Sequence, residues 1–221
     1  MFFKGHEEYE SLIENMPVDQ MKEDIMSSYP DYVETDEISY TIKNSIVAIE
    51  DHRFYSNGGV DYIALARALI SNIFGDNVQG ASTITMQLAK NYYYEDTSRS
   101  FIRKFAEVFF ANAIEANYSK EEILEMYLNI IYYGDGYTGI YDSCMGYFED
   151  KPINVDYVEA SLLAGIINAP SVYALSTGAD LALQRQVYVI NALYTYNYID
   201  EETKTELLSA NEELVSKYTA K

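Results

Sequence analysis

One periodicity constrains this chain more than any other feature. Apolar residues recur every three to four positions along nearly its whole length, the spacing that lines one face of an α-helix. In "RSFIRKFAEVFFANAIE", residues 99–115, Ile102, Phe105, Phe109 and Ala113 keep that spacing, and a helix over 99–117 follows. Thr35-Asp36 offers a cap for a helix over about 37–52, with Ile38, Ile42, Ser45, Ile46 and Ile49 on one face. Asp61 can cap another, carrying Ile63, Leu65, Ala66, Leu69, Ile70 and Ile73 inward. A third runs from Ser82 through Lys90, and Ser119 with Glu122 makes an S-x-x-E capping box for the next. Helices over about 138–148, 155–168, 180–197 and 200–215 complete the chain, with "GDNVQG", "YYYEDTS" and "YYGDGYTG" as breaks and Pro170 as a stop. Strand signals are weak, so the expected class is all-α.

Composition narrows the function. The 221 residues suit one domain, taken as 1–221 with a small lobe at about 60–80 plus the N-terminal segment. A net charge of −20 excludes non-specific nucleic-acid binding, which needs Lys and Arg to neutralise phosphates. It also argues against broad electrostatic adhesion to an anionic membrane. The single cysteine, Cys144, forms no intramolecular disulfide and reads as a small buried residue. The two histidines, His6 and His52, make no HExxH or paired spacing, so no zinc site is expected. No run of about 18 apolar residues is present. Tyrosine is abundant, at 23 residues, and suits sugar contacts or an interface as well as plain compositional bias.

Three stretches carry candidate chemistry. In "VAIEDHRFYSNGGVD", residues 47–61, Glu50 and Asp51 close a helix just before a glycine turn. The negative end of the helix dipole disfavours a charged carboxylate there by some tenths of a kcal/mol. An acid in that position is a candidate general base, or an ordinary solvated pair. In "GASTITMQLAKN", residues 80–91, Ser82 and Thr83 open a helix whose free N–H groups suit an anion, and Gln87, Lys90 and Asn91 share one polar side. In the third, Arg99, Arg103 and Glu107 recur every four residues with Lys104 alongside. The plain reading of that face is an ion-pair ladder worth about 0.2–0.5 kcal/mol per pair. Yet Lys90, Arg99, Arg103 and Lys104 are four of only fifteen cations. Such a concentration suits a diphosphate, which Arg grips through bidentate hydrogen bonds.

Taken together, these residues resemble the peptidoglycan glycosyltransferase domain, glycosyltransferase family 51. "EDHRFYSNGG" is similar to E-D-x-x-F-x-x-H-x-G, "GASTITMQLAKN" to G-G-S-T-I-T-Q-Q-L-A-K-N, and "RKFAE" to R-K-x-x-E. "SKEEILEMYLNIIYYGDGYTGI" resembles the motif around ILExYLN and YFG, and "EASLLAGIINAPSVY" the last one, around EAALLA and APxxY. The matches fall in family order over residues 37–175. The resemblance implies a lysozyme-like helical head with a small, mobile, membrane-facing jaw. It implies polymerisation of lipid II with inversion and release of undecaprenyl diphosphate. Glu50 would be the general base and Glu107 the second acid. Lys90, Arg99, Arg103 and Lys104 would hold the diphosphate. Ser82, Thr83, Gln87 and Asn91 would contact donor sugar or phosphate. Asp51 and Phe54 would support the turn, and Asn57 and Arg67 join the substrate-binding candidates. No cofactor is required by the sequence, although a divalent cation is compatible with the family. The expected partners are lipid II, the growing glycan chain, the membrane surface, moenomycin-type inhibitors and cell-wall synthesis proteins. The expected place is the extracytoplasmic face of the bacterial membrane, with an N-terminal anchoring helix outside this chain. A monofunctional enzyme is expected, since no transpeptidase sequence follows Lys221.

The chain departs from the pattern at three points. Asn57 stands at the motif histidine, Ala81 at the second glycine of the second motif, and Met86 at the first of its two glutamines. Asn can replace one hydrogen bond of a histidine but carries no charge. Two alternatives stay open at this point. A lysozyme-like glycan-cleaving enzyme would have no use for the cation cluster. A catalytically weakened domain would bind lipid II or scaffold wall synthesis without turnover.

Overall fold

The computed structural model describes residues 2–63, 82–94 and 100–219. The chain is all-α: the described residues form helices joined by turns, with one isolated antiparallel bridge between Tyr132 and Thr138. The helices are α1 Phe2–Ile13, α2 Met21–Ser28, α3 Tyr40–Glu50, α4 Ile84–Tyr93, α5 Phe101–Asn117 and α6 Lys120–Ile130. They continue with α7 Ile140–Phe148, α8 Tyr157–Ile166, α9 Pro170–Tyr173, α10 Leu175–Thr195 and α11 Glu201–Thr219. The chain divides into two compact units, residues 1–28 with 53–127, and 29–52 with 128–221.

In the first unit α5 is the central element. α1 and α4 both pack on it, as does the 3-10 turn Val18–Gln20. Its apolar side buries Ala106, Phe110, Ala111 and Ile114. The Tyr93 ring stacks on Phe110 at 3.8 Å, and Tyr9 meets the same ring edge-on at 4.9 Å. Val60, Met86 and Ala111 form a second buried cluster with Val108 against it. The sequence suggests no helix over residues 2–13; the helix on which this segment packs, α5, lies about a hundred residues away in sequence.

In the second unit α8 is central, and every residue from Ala160 to Ile166 is buried. A helix apolar all round belongs inside, and α3, α10 and α11 surround it. Its start is fixed by a capping box, Asp156 with Glu159. Leu162, Ile166, Ala182 and Leu183 make the core there.

Several helix ends differ from the periodicity. The cap of α3 is Ser39, whose hydroxyl accepts from Ile42 N at 3.3 Å, rather than Thr35-Asp36, which lie in a 3-10 turn. The helix over "RSFIRKFAE…" starts at Phe101 behind the Ser100 cap, so Arg99 precedes it. α4 runs three residues past Lys90, taking Tyr92 and Tyr93 out of the expected loop. α10 begins at Leu175 and kinks at Gly178. Pro170 starts the single turn α9 at its first position, where its missing N–H costs nothing. The Ser119–Glu122 box forms as expected: Glu122 N donates to Ser119 Oγ at 3.3 Å and Ser119 N to Glu122 Oε2 at 2.9 Å. Most of the expected jaw segment, 64–81, lies outside the described residues.

Candidate active site

A cavity of about 450 Å³ opens in the first unit. Ser82, Lys90, Ser100, Phe101, Arg103, Lys104 and Glu107 line it. Its shape comes from α4 packed on α5. Thr83 caps α4, accepting from Met86 N at 3.1 Å, which leaves Ser82 just ahead of the helix. Ser100 caps α5 and accepts from Ile102 N at 3.2 Å. Arg103, Lys104 and Glu107 then fall on one side of α5 by helical spacing.

Glu107 is the hub. It is buried, at 3% exposure, and a buried carboxylate needs partners. Lys104 Nζ donates to its Oε2 at 2.7 Å, and Arg103 Nε lies 3.6 Å from its Oε1. Lys104 also donates to Ser82 Oγ at 2.5 Å, which ties the start of α4 to α5. Arg103 is itself buried, with the Tyr94 ring centroid 5.1 Å from its Cζ. Lys90, Arg103 and Lys104 bring three positive charges against the one negative of Glu107, a net of +2 at the wall. That arrangement suits an anion. Its one carboxylate is engaged by Lys104, and among the described residues no three His, Cys, Asp or Glu side chains converge on a metal position.

In the second unit Glu50 is the last residue of α3 and is partly exposed. Asp51 caps the helix, is buried, and gives its N–H to Val47 O at 3.1 Å. The main chain therefore leaves helical geometry at the acid pair, as the sequence reading placed it. His52 stacks on Tyr196 with centroids 4.1 Å apart and planes 9° apart. Tyr198 has its phenol pushed upward by burial, with the Asp51 charge adding to it.

The glycine turn that follows belongs to the first unit and is tied on several sides. Arg53 pairs with Asp61, its Nε 2.9 Å from Oδ2. Gly59 has φ +86°, and a Cβ there would sit 2.6 Å from Glu115 Cγ and 2.9 Å from Ala111 O. Only glycine meets both demands. Asn57 Oδ1 accepts from Gly59 N at 3.1 Å and from Lys120 Nζ at 3.3 Å. Lys120 also pairs with Glu115 at 2.6 Å and lies 4.5 Å over the buried Phe54 ring.

Of the sequence candidates, then, Ser82, Lys90, Arg103, Lys104 and Glu107 share one cavity. Thr83 is buried, its hydroxyl given to the α4 cap and to Gly59 O at 2.5 Å. Gln87 accepts from Tyr127 OH at 3.0 Å, and Asn91 is exposed. Arg67 and Arg99 lie outside the described residues. Ser100, Phe101 and Tyr94 were not singled out in the sequence. The Ser100 cap is readable from its position, but Tyr94 falls in the expected break "YYYEDTS" and so on no helix face. Cys144 is fully buried, and burial followed by the Glu159 charge pushes its thiol up to about 12, which suits the inert role expected of it.

A family profile described as transglycosylase matches residues 15–194. A monofunctional glycosyltransferase of Staphylococcus haemolyticus is 40% identical over 187 residues, covering 80% of this chain and 68% of that protein. A monofunctional glycosyltransferase of Staphylococcus epidermidis is 35% identical over 199 residues, covering 87% of this chain and 73% of that protein. Penicillin-binding protein 1A of Neisseria flavescens is 39% identical over 183 residues, which is 80% of this chain but 23% of that protein.

Proposed function

The chain belongs to the transglycosylase family and is a peptidoglycan glycosyltransferase, and on that premise we propose that it polymerises lipid II by inverting transfer. The acceptor 4-hydroxyl attacks the anomeric carbon of the growing chain's terminal muramyl residue. The new glycosidic C–O bond forms as the bond to the diphosphate oxygen breaks. The hydroxyl proton passes to Glu50, and undecaprenyl diphosphate leaves with the bonding electrons.

The observation that carries this reading is the first-unit cavity. Lys90, Arg103 and Lys104 line it together with buried Glu107 in a chain whose net charge is −20. Charge that builds on a leaving diphosphate is stabilised by cations already fixed in place. Glu107 holds Arg103 and Lys104 in that arrangement, so its role is organisation of the cluster. Ser82 reaches the same phosphate oxygens through its hydroxyl. A glycan-cleaving enzyme would have no leaving group for these cations.

Membrane contact is part of the proposal. Phe2, Phe3 and Phe101 expose 52%, 81% and 76% of their surface on the first unit, and Phe101 also lines the cavity. Exposed aromatic side chains beside a lipid diphosphate site suit an apolar boundary. No described helix is long and apolar enough to cross a membrane. The extracytoplasmic face, anchoring from outside this segment, inhibition by moenomycin and association with wall-synthesis proteins belong to the same proposal.

The test is incubation of the purified chain with lipid II in detergent, with wild type and Glu50→Gln side by side on a polymer-resolving gel. Wild type is expected to give polymer and Glu50→Gln none. Polymer from both would remove Glu50 from its role. Lipid II binding without turnover by either, persisting when a membrane anchor is fused to the chain, would establish the scaffold reading instead.

A further inference from the structure

We propose that Tyr94 is a positioning residue for the phosphate seat: its ring holds the Arg103 guanidinium in place, and its hydroxyl ties that ring to α1 through Glu8. The proposal rests on the diphosphate reading of the cavity. It extends that reading to a helix that contributes no residue to the cavity wall.

Arg103 lies against an aromatic wall. Glu107 gives its closer contact, 2.7 Å, to Lys104, while Arg103 Nε stands 3.6 Å from the other oxygen. At that distance the contact is an ion pair rather than a well-formed hydrogen bond. An aromatic face within about 6 Å is a surface that fixes the plane of a guanidinium. The Tyr94 ring lies at 5.1 Å.

Tyr94 needs an anchor in turn. It is the residue that closes α4, with φ −128° and ψ 115°, so the chain has already left the helix and the helix does not aim its side chain. Its hydroxyl donates to Glu8 Oε1 at 2.7 Å. Burial first, then the Glu8 hydrogen bond and charge, raise the phenol well above its ordinary range, so it remains a donor at any working pH.

Glu8 is placed by the crossing of α1 on α5. A Cβ on Gly5 would lie 2.6 Å from Phe105 Cβ and 2.9 Å from Ile102 O, so the two helices approach at a glycine. Glu8 stands one turn beyond Gly5, and Ile102 and Phe105 flank Arg103. One crossing therefore fixes both ends of the Glu8–Tyr94–Arg103 relay. The prediction is that loosening α1 weakens diphosphate binding through Arg103.

The experiment uses the full chain with nitrogen-15 arginine, inorganic pyrophosphate as probe, and Tyr94→Leu, Tyr94→Phe and Glu8→Gln as variants. Arg103→Lys assigns the Arg103 Nε–H resonance. In wild type that resonance is expected to be displaced upfield by the ring, to lose the displacement in Tyr94→Leu, and to keep it in Tyr94→Phe. Pyrophosphate affinity by calorimetry is expected to fall about fivefold in Tyr94→Leu, the size of one partly desolvated cation–π contact. In an Arg103→Lys background the same substitution is expected to add less than twofold, because residues acting as a unit are not additive. Glu8→Gln retains helix and ring, is expected to cost about twofold, and serves should Tyr94→Leu fail to fold. An unchanged Arg103 resonance in Tyr94→Leu would overturn the proposal, as would equal losses in both backgrounds. Wild type that binds no pyrophosphate would overturn the diphosphate reading, and the resonance would still decide whether Tyr94 holds Arg103.

Discussion

Asn57 stands where the resembled motif has histidine, and its neighbours explain how a neutral side chain serves there. Its Oδ1 takes the Gly59 N–H at 3.1 Å and the Lys120 ammonium at 3.3 Å, so the positive charge comes from another residue. Lys120 is more than a partner for Asn57: it neutralises Glu115 at 2.6 Å and covers Phe54. The two substitutions should therefore differ in size. Lys120→Met leaves Glu115, 14% exposed, without that countercharge, and is expected to cost about 2–4 kcal/mol. Asn57→Ala removes acceptor contacts and is expected to cost about 1 kcal/mol. Urea unfolding of both variants checks this; equal costs would mean that Lys120 is not the charge centre of the turn. The sequence made Asn57 visible as a departure and left Lys120 unremarked, because the two are 63 positions apart. The burial of Cys144 was legible for the opposite reason, since a small apolar side chain is buried without a specific partner.

Helices were readable as elements from a recurring apolar stripe, but not always the face they bury: on α5 burial falls on Arg103, Ala106, Glu107, Phe110, Ala111 and Ile114, whereas Phe105 of the expected stripe is 37% exposed. Helix ends were readable only where the deciding contact is local. The Ser119–Glu122 box spans three residues and was visible in the sequence. The start of α3 was not, because its first residues are held by long-range contacts: the Ser39 N–H donates to Pro152 O at 3.1 Å, and the Thr41 hydroxyl donates to Val155 O. The extension of α4 to Tyr93 depends on Phe110 and on Met16 O, which accepts from the Tyr93 hydroxyl at 3.1 Å. The α6 cap makes a prediction of its own. The Ser119 N–H bonds the Glu122 carboxylate and, with its hydroxyl and Lys22, lowers the Glu122 pKa. A carboxyl lowered on folding stabilises above its unfolded pKa, and that contribution is lost as pH falls through the folded value. The melting temperature of wild type is expected to exceed that of Glu122→Gln at pH 7. The gap should close as pH drops from about 4.3, the ordinary glutamate value, into the acid range. A gap that widens on acidification would show that the box does not work through the carboxylate.

At the scale of the whole molecule the family was legible and the internal division was not. Five ordered motifs carried the first, whereas the two units alternate along the chain at 28/29, 52/53 and 127/128, with the last boundary inside α6. No composition shift marks such an alternation, because both units build their cores from the same apolar stripes. Charge is the whole-molecule property with a consequence for the proposed reaction. A chain of −20 is repelled by an anionic membrane, while its cation cluster sits in a cavity around a buried carboxylate. Salt screens the two unequally. The long-range repulsion weakens as the Debye length shrinks from about 30 Å at 0.01 M to about 8 Å at 0.15 M, whereas contacts inside a cavity are screened far less. Polymerisation of lipid II in vesicles rich in anionic lipid is therefore expected to rise with sodium chloride over that range, by about two- to tenfold. In neutral vesicles it should change little. A basic membrane-binding enzyme would show the reverse. A steady fall with salt on anionic vesicles would mean that a local cationic face, rather than the net charge, governs how this chain meets the membrane.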